Sequence, residues 1–302
     1  MTPTTSLVRT ALNSSALIAP GPTGRAAFAL FVRPLGRSRL RPEEEPLFAE
    51  ARTGRLLING KRVVTYAWGD GARPVLLVHG WSSRASRLSA FVEALRARGY
   101  SPVTFDAPGH GASEGRATNI LEYRRIIREL HGEHGDFDAV VAHSFGMLAA
   151  LFALRDGVRT GRFVGIGGVG RFDLLVEEFK AGWGLSDRAV RQLRRHVERR
   201  LFRGEPDIWQ RLNATYEPAE LGAPVLLFHD DIDDMVSLAH SRATAEAHGD
   251  RARLIVTHGL GHRRILKDPE VVADTLRFVT DRAAVPTPVS EKRAVPVAGP
   301  RG

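Results

Sequence analysis

At 302 residues the chain is long enough to bury a full hydrophobic core, and it fits one large domain with an insertion at least as well as two small ones. Hydrophobic residues make up 43% and charged residues 25%, the balance of a globular protein, and no apolar run approaches the roughly 18 residues that span a bilayer. The absence of cysteine excludes disulfides, thiolate metal ligands and a cysteine nucleophile, while the formal net charge of +9 makes polyanions a partner class to be weighed.

That charge is local. Residues 1–41 carry Arg9, Arg25, Arg33, Arg37, Arg39 and Arg41 with no acid, which is +6. Residues 186–204 carry seven arginines against Asp187 and Glu198, which is +5, so of the net +9 the rest of the chain carries −2. No helix-turn-helix, RNP-like or zinc-finger pattern accompanies these clusters. Nucleic acid is therefore not an expected partner, and peripheral contact with an anionic surface is the use left to them. The patch around Ala16 to Ala19 is only mildly apolar and is preceded by Asn13, Ser14 and Ser15, which argues against a secretory signal and for a cytoplasmic location.

In chain order, residues 1–50 read as an N-terminal appendage, with an apolar stretch over 26–32 and the acidic Glu43, Glu44 and Glu45. A domain over residues 51–281 follows. Residues 56–58 and 63–68 flank an Asn59-Gly60 turn signal and predict a β-hairpin. The solid apolar runs at 74–78, 103–105, 139–142, 163–166, 225–228 and 254–257 predict strands buried on both faces. Helices are expected between several of them: one carrying Leu88, Phe91, Val92 and Leu95 at helical spacing and ending at Gly99, one over about 119–131, and one over 145–154. Strands alternating with helices argue for parallel βαβ units. Residues 171–222 are helix-like and arginine-rich without a strand candidate, the pattern of an inserted helical cap. Within it Arg188, Arg191, Arg194, Arg195 and Arg199 recur at three- and four-residue spacing, either as a solvated face or as a face bordering the site entrance. Asp268-Pro269 starts the last helix as N-cap and N1. The proline-bearing tail over 282–302 is expected to be disordered.

The strongest chemical signal is Ala142-His143-Ser144-Phe145-Gly146 between an apolar strand and an apolar helix. A serine on a sharp strand-to-helix turn projects its hydroxyl beyond the sheet, and the strained backbone leaves room only for small residues two before and two after it. Ala142 and Gly146 meet that need. The strand ending at His79-Gly80-Trp81 adds a second turn, so the backbone N–H groups of Trp81 and Phe145 are the candidate oxyanion donors. His79 reads as a structural histidine bonding that turn. Serine needs a base, and His262 in Gly259-Leu260-Gly261-His262, just past the last strand, is the candidate, with His258 as competitor. The orienting acid falls between serine and histidine in chain order. After the strand at 225–228, Asp230, Asp231, Asp233 and Asp234 offer themselves. Asp233 is preferred for its depth in the loop, and Asp231 and Asp234 stay open. The loop lacks the glycine and glutamate of a calcium-loop pattern, so no metal is expected.

Together with the loop Asp106-Ala107-Pro108-Gly109-His110-Gly111-Ala112-Ser113, these landmarks resemble the α/β-hydrolase superfamily from about Leu56 to Val279. The resemblance implies a mostly parallel central sheet flanked by helices, and a serine hydrolase that cleaves a small-molecule carboxylic ester or thioester through an acyl-enzyme. Its catalytic residues would be Ser144, Asp233 and His262, with no cofactor. Two departures stand out: Ala142 at the elbow glycine, and Asp230 where relatives usually carry glycine. Serine at the nucleophile position argues against the dehalogenase and epoxide-hydrolase branches, which use aspartate. Acyl transfer, peptide cleavage and a noncatalytic binding role on the same fold are the alternatives.

Overall fold

A computed structural model of the chain describes residues 3–281 and 290–291. The first two strands, β1 (Arg52–Ile58) and β2 (Lys61–Ala67), form the antiparallel hairpin that Asn59-Gly60 predicts, with both turn residues at positive φ. Five longer apolar strands follow: β3 (Pro74–Val78), β4 (Ser101–Asp106), β5 (Ala139–His143), β7 (Val225–Asp230) and β8 (Ala252–Thr257), with the short β6 (Phe163–Ile166) between β5 and β7. The sheet order is β1-β2-β4-β3-β5-β6-β7-β8-β9, where β9 (Ser290–Glu291) is two residues long. β2 pairs antiparallel with β4, and every pairing from β4 onward is parallel. Apart from Ser290 and Glu291, the tail expected to be disordered lies outside the described residues.

Because side chains alternate along a strand, the sheet has two cores. Val75, Leu77, Val141, Ile166 and Phe228 face one side, against α4 (Ser89–Arg96) and α12 (Pro269–Thr280). Leu76, Val78, Val140, Ala142 and Leu227 face the other, against α5 (Ile120–His134) and α6 (Phe145–Arg155). The helix starts follow the residues that predict them: Asn119 accepts the N–H groups of Leu121 and Glu122, and Asp268 those of Glu270 and Val271.

The β6–β7 connection is helical: α7 (Phe172–Trp183), α8 (Asp187–His196), a π-helical turn at Val197–Leu201 and the one-turn α9 (Ile208–Arg211). The first fifty residues contribute α1 (Pro3–Ile18), α2 (Pro20–Phe31) and α3 (Glu45–Ala49). α2 packs closely on α8: a Cβ at Gly24 would lie 2.6 Å from the Gln192 carbonyl oxygen. Asn13 bridges α1 to the end of α7, donating to the Gly184 carbonyl and accepting from the Ser186 N–H. Glu44, in the acidic run, is buried and bonded to Arg87 and Ser86. α10 (Leu238–His248) links β7 to β8, and the one-turn α11 (Gly261–Arg264) follows β8. No described helix is long and apolar enough to cross a membrane.

Candidate active site

The carboxyl ends of β3, β5, β7 and β8 converge, which is where open parallel sheets gather their ligands. Ser144 sits between β5 and α6 at φ 55° and ψ −126°, a left-handed conformation that side chains rarely adopt. Neighbours hold it there. A Cβ on Gly146 would lie 2.7 Å from the carbonyl oxygens of Val78 and His79, and one on Gly80 would lie 2.8 Å from the Cβ of Ser144. Both glycines let the β3 turn touch the elbow. Ala142, in place of the usual glycine, fits its methyl into the core with no exposure.

Three of the sequence-predicted residues form one hydrogen-bonded chain. The Ser144 hydroxyl donates to His262 Nε2 at 3.0 Å, and His262 Nδ1–H donates to Asp233 Oδ2 at 2.7 Å. The groups are sheltered, with Ser144 and His262 9% and 7% exposed and the Asp233 side chain 1%. The second oxygen of Asp233 accepts the N–H groups of Met235 and Val236, each at 2.8 Å, which turns the carboxylate inward. Burial acts to raise the Asp233 pKa, but the hydrogen bonds from His262 and the turn outweigh it and hold it below the ordinary carboxylate value.

The competitors are placed elsewhere. Asp231 accepts from His258 Nδ1 at 2.6 Å, and both side chains are partly exposed. Asp234 is exposed. Asp230 is buried and holds the loop that carries the histidine: one oxygen accepts from the Gly261 and Ile232 N–H groups, the other from the Leu260 N–H and the Thr257 hydroxyl. Sequence reasoning gave Asp230 no such role. Glycine cannot fill it, so the departure at 230 is a structural substitution. His143 was also overlooked. Its Nε2–H reaches across to donate to the His262 carbonyl at 3.0 Å, and the two rings lie 4.7 Å apart. The adjacency of His143 to Ser144 was the signal that could have found it.

Trp81 and Phe145 line the same cavity as Ser144 and His262, with their rings edge to face at 5.5 Å. The Phe145 N–H opens α6, where a helix leaves its N–H groups unpaired. The Trp81 N–H has no backbone partner among the described residues. His79 donates through Nδ1 to the Gly80 carbonyl and accepts the Ala107 N–H at Nε2, which fixes the turn. His110 similarly accepts the Ser82 N–H.

The cavity measures about 1410 Å³. Its apolar wall comes from both sides: Phe172, Leu175 and Phe179 of the cap, and Phe31 and Leu35 of the N-terminal segment. None of Arg188, Arg191, Arg194, Arg195 and Arg199 lines it; Arg194 instead lies 4.2 Å over the Trp209 ring. The arginine face therefore does not border the entrance. Glu178 of α7 does line the cavity, and burial holds its carboxyl above the ordinary value while nearby His262 acts the other way.

Several buried histidines are kept neutral. Burial, helped by the proximity of His262, pushes His143 down to about 3 from 6.5; burial likewise takes His110 to about 3 and His248 to about 4, and lowers His79 and His229. In the unfolded chain these rings take a proton near 6.5, so between about 6.5 and 4 the unfolded state binds more protons than the folded one. Stability is therefore greatest above that window and falls as pH drops through it. Melting temperature measured from pH 8 to pH 4 is expected to decline below about 6.5, and a flat profile would contradict the neutral buried rings.

A family model described as the alpha/beta hydrolase family matches residues 75–275. No curated protein matches the sequence. Among solved structures, an esterase from Pyrococcus furiosus is 20% identical, with a TM-score of 0.60 over 82% of this chain and 96% of that one. The alpha/beta hydrolase domain-containing protein 10 from mouse is 18% identical, with a TM-score of 0.59 over 76% and 97%. A thioesterase domain from the curacin biosynthetic pathway is 15% identical, with a TM-score of 0.55 over 76% and 99%. At these identities the likeness is one of fold.

Proposed function

The chain belongs to the alpha/beta hydrolase family, and from that premise we propose that it is a serine hydrolase that cleaves a carboxylic ester or thioester through an acyl-enzyme. The observation that carries this reading is the unbroken chain from Ser144 through His262 to Asp233, at 3.0 and 2.7 Å, with the serine on a strained elbow at the floor of an apolar cavity. Ser144 Oγ attacks the acyl carbon as His262 Nε2 takes its proton. The oxygen of the tetrahedral intermediate accepts hydrogen bonds from the N–H groups of Trp81 and Phe145. Collapse breaks the bond to the leaving alcohol or thiol, which takes the proton from His262. Water then attacks the acyl-serine by the same route in reverse, releasing the acid and restoring the hydroxyl. Asp233 stays ionised throughout, holding the Nδ1–H tautomer and stabilising the imidazolium.

The cavity also sets an expectation for the acyl group. Each methylene buried against Phe31, Leu175 or Phe179 contributes about 0.8 kcal/mol, so kcat/KM on p-nitrophenyl esters should climb by about tenfold per added pair of carbons from acetate to octanoate. The corresponding acyl thioesters test the second substrate class. No hydrolysis of any ester or thioester above the uncatalysed rate would refute the proposal.

A further inference from the structure

The charges that line the cavity are strongly one-sided. Arg87 lines the cavity too, but it is paired with the buried Glu44. The other cations come from two segments far apart in sequence: Arg37 and Arg41 before β1, and Arg263, Arg264 and Lys267 just past His262. All five are exposed. Against them the lining holds a single acid among the described residues, Glu178, on the cap side beside the triad. The two cationic segments meet: Lys267 lies 3.5 Å and Arg41 4.0 Å from the same carboxylate oxygen of Glu43. The Arg263 guanidinium has no hydrogen-bond or ion-pair partner among the described residues, whereas Arg37 and Arg264 are held by backbone carbonyls and keep their charge unneutralised. Exposed apolar side chains line the cavity as well: Leu35 and Met235 are 78% and 49% exposed.

We propose that this site takes an anionic amphiphile, with an apolar acyl chain inside the cavity and a phosphate or carboxylate group held outside by Arg41, Arg263 and Lys267. The inference rests on the serine-hydrolase reading for the scissile bond, but the recognition does not depend on turnover. Arginine's planar fork takes two oxygens of a phosphate at once, and its weak hydration lowers the cost of the contact. Glu178, at the triad end, repels the anionic group and so orients the substrate with its charge toward the rim. Glu43 occupies part of the anion position in the free protein and would be displaced or shared. The same chemistry is presented by a freely diffusing phosphorylated amphiphile and by a lipid headgroup in a surface.

Equilibrium binding separates recognition from catalysis. Octyl phosphate and 1-octanol, neither of which has an acyl bond to cleave, are titrated calorimetrically below their aggregation limits at low salt. Octyl phosphate should bind about tenfold more tightly, and the gap should narrow with added salt because exposed charges are screened over about 10 Å at 0.1 M. The triple variant Arg41→Gln, Arg263→Gln, Lys267→Gln should lose that preference while keeping octanol affinity and activity on neutral p-nitrophenyl butyrate. Glu43→Gln, which removes the competing carboxylate, should bind octyl phosphate more tightly than the unaltered chain. Equal affinity for the two ligands, or a preference that survives the triple variant, would overturn the proposal. Loss of ester hydrolysis with the preference intact would instead refute only the catalytic reading. Cosedimentation with phosphatidylglycerol vesicles, lost in the triple variant, identifies the source as a lipid surface; binding of octyl phosphate without cosedimentation identifies it as a free amphiphile.

Discussion

Replacing Ser144 with alanine is expected to lower kcat by about 10⁶-fold, the scale on which loss of a triad serine acts. At about 1.4 kcal/mol per factor of ten that is about 8 kcal/mol of transition-state stabilisation. The fold should tolerate the change. Alanine keeps the Cβ that packs against Gly80, and it inherits the backbone conformation at φ 55° without relieving or adding strain. Only the hydrogen bond to His262 Nε2 is lost, worth about 1 kcal/mol net, so the melting temperature should move by a few degrees at most. A variant that stays folded and retains more than a hundredth of the activity would mean that another group does the chemistry.

Asp233→Asn is the second large effect, and it discriminates among the four neighbouring aspartates. Asparagine preserves shape, and its amide oxygen can still accept the N–H groups of Met235 and Val236. Its NH₂ then faces His262 Nδ1, which must become an acceptor, so the ring proton moves to Nε2, opposite the Ser144 hydroxyl. A protonated Nε2 cannot take the serine proton. The expected loss is about 10⁴-fold in kcat, with KM little changed. Asp231→Asn removes only the partly exposed partner of His258 and should leave turnover within about a factor of two, as expected for exposed ion pairs. The reverse ranking, measured on one ester at one pH, would transfer the role to the Asp231 and His258 pair.

The sheet was legible because its strands are short apolar runs bounded by turn residues, and burial on both faces leaves little else that such runs can be. Pro74–Val78 and Phe163–Ile166 match their predicted bounds to the residue. The elbow was legible for a steric reason that survives the change from glycine to Ala142. The helix Leu238–His248 went unpredicted because the residues it buries are Ser241, Thr244 and His248, so it carries no apolar stripe. The N-terminal helices were equally hidden. Their packing partner, the helix Asp187–His196, lies more than 150 residues along the chain, and Leu12, Ala16 and Ala27 become core where these helices pack together. The choice among four aspartates rested on loop depth in the sequence. In the structure the turn at Met235 and Val236 holds Asp233 against His262, while Asp230 anchors the histidine loop. The arginine spacing in the cap gave no hint of which face meets the cavity, and the exposed cations that do line it come from the N-terminal appendage and from the residues just past the base.

A covalent label tests the central claim most directly. Incubated with a fluorophosphonate, the unaltered protein should gain the mass of one adduct, and peptide mapping should place it on Ser144. Ser144→Ala should gain none, and Asp233→Asn should label far more slowly than the unaltered protein. An adduct on any other residue, or labelling that persists in Ser144→Ala, would contradict the assignment of Ser144 as the nucleophile.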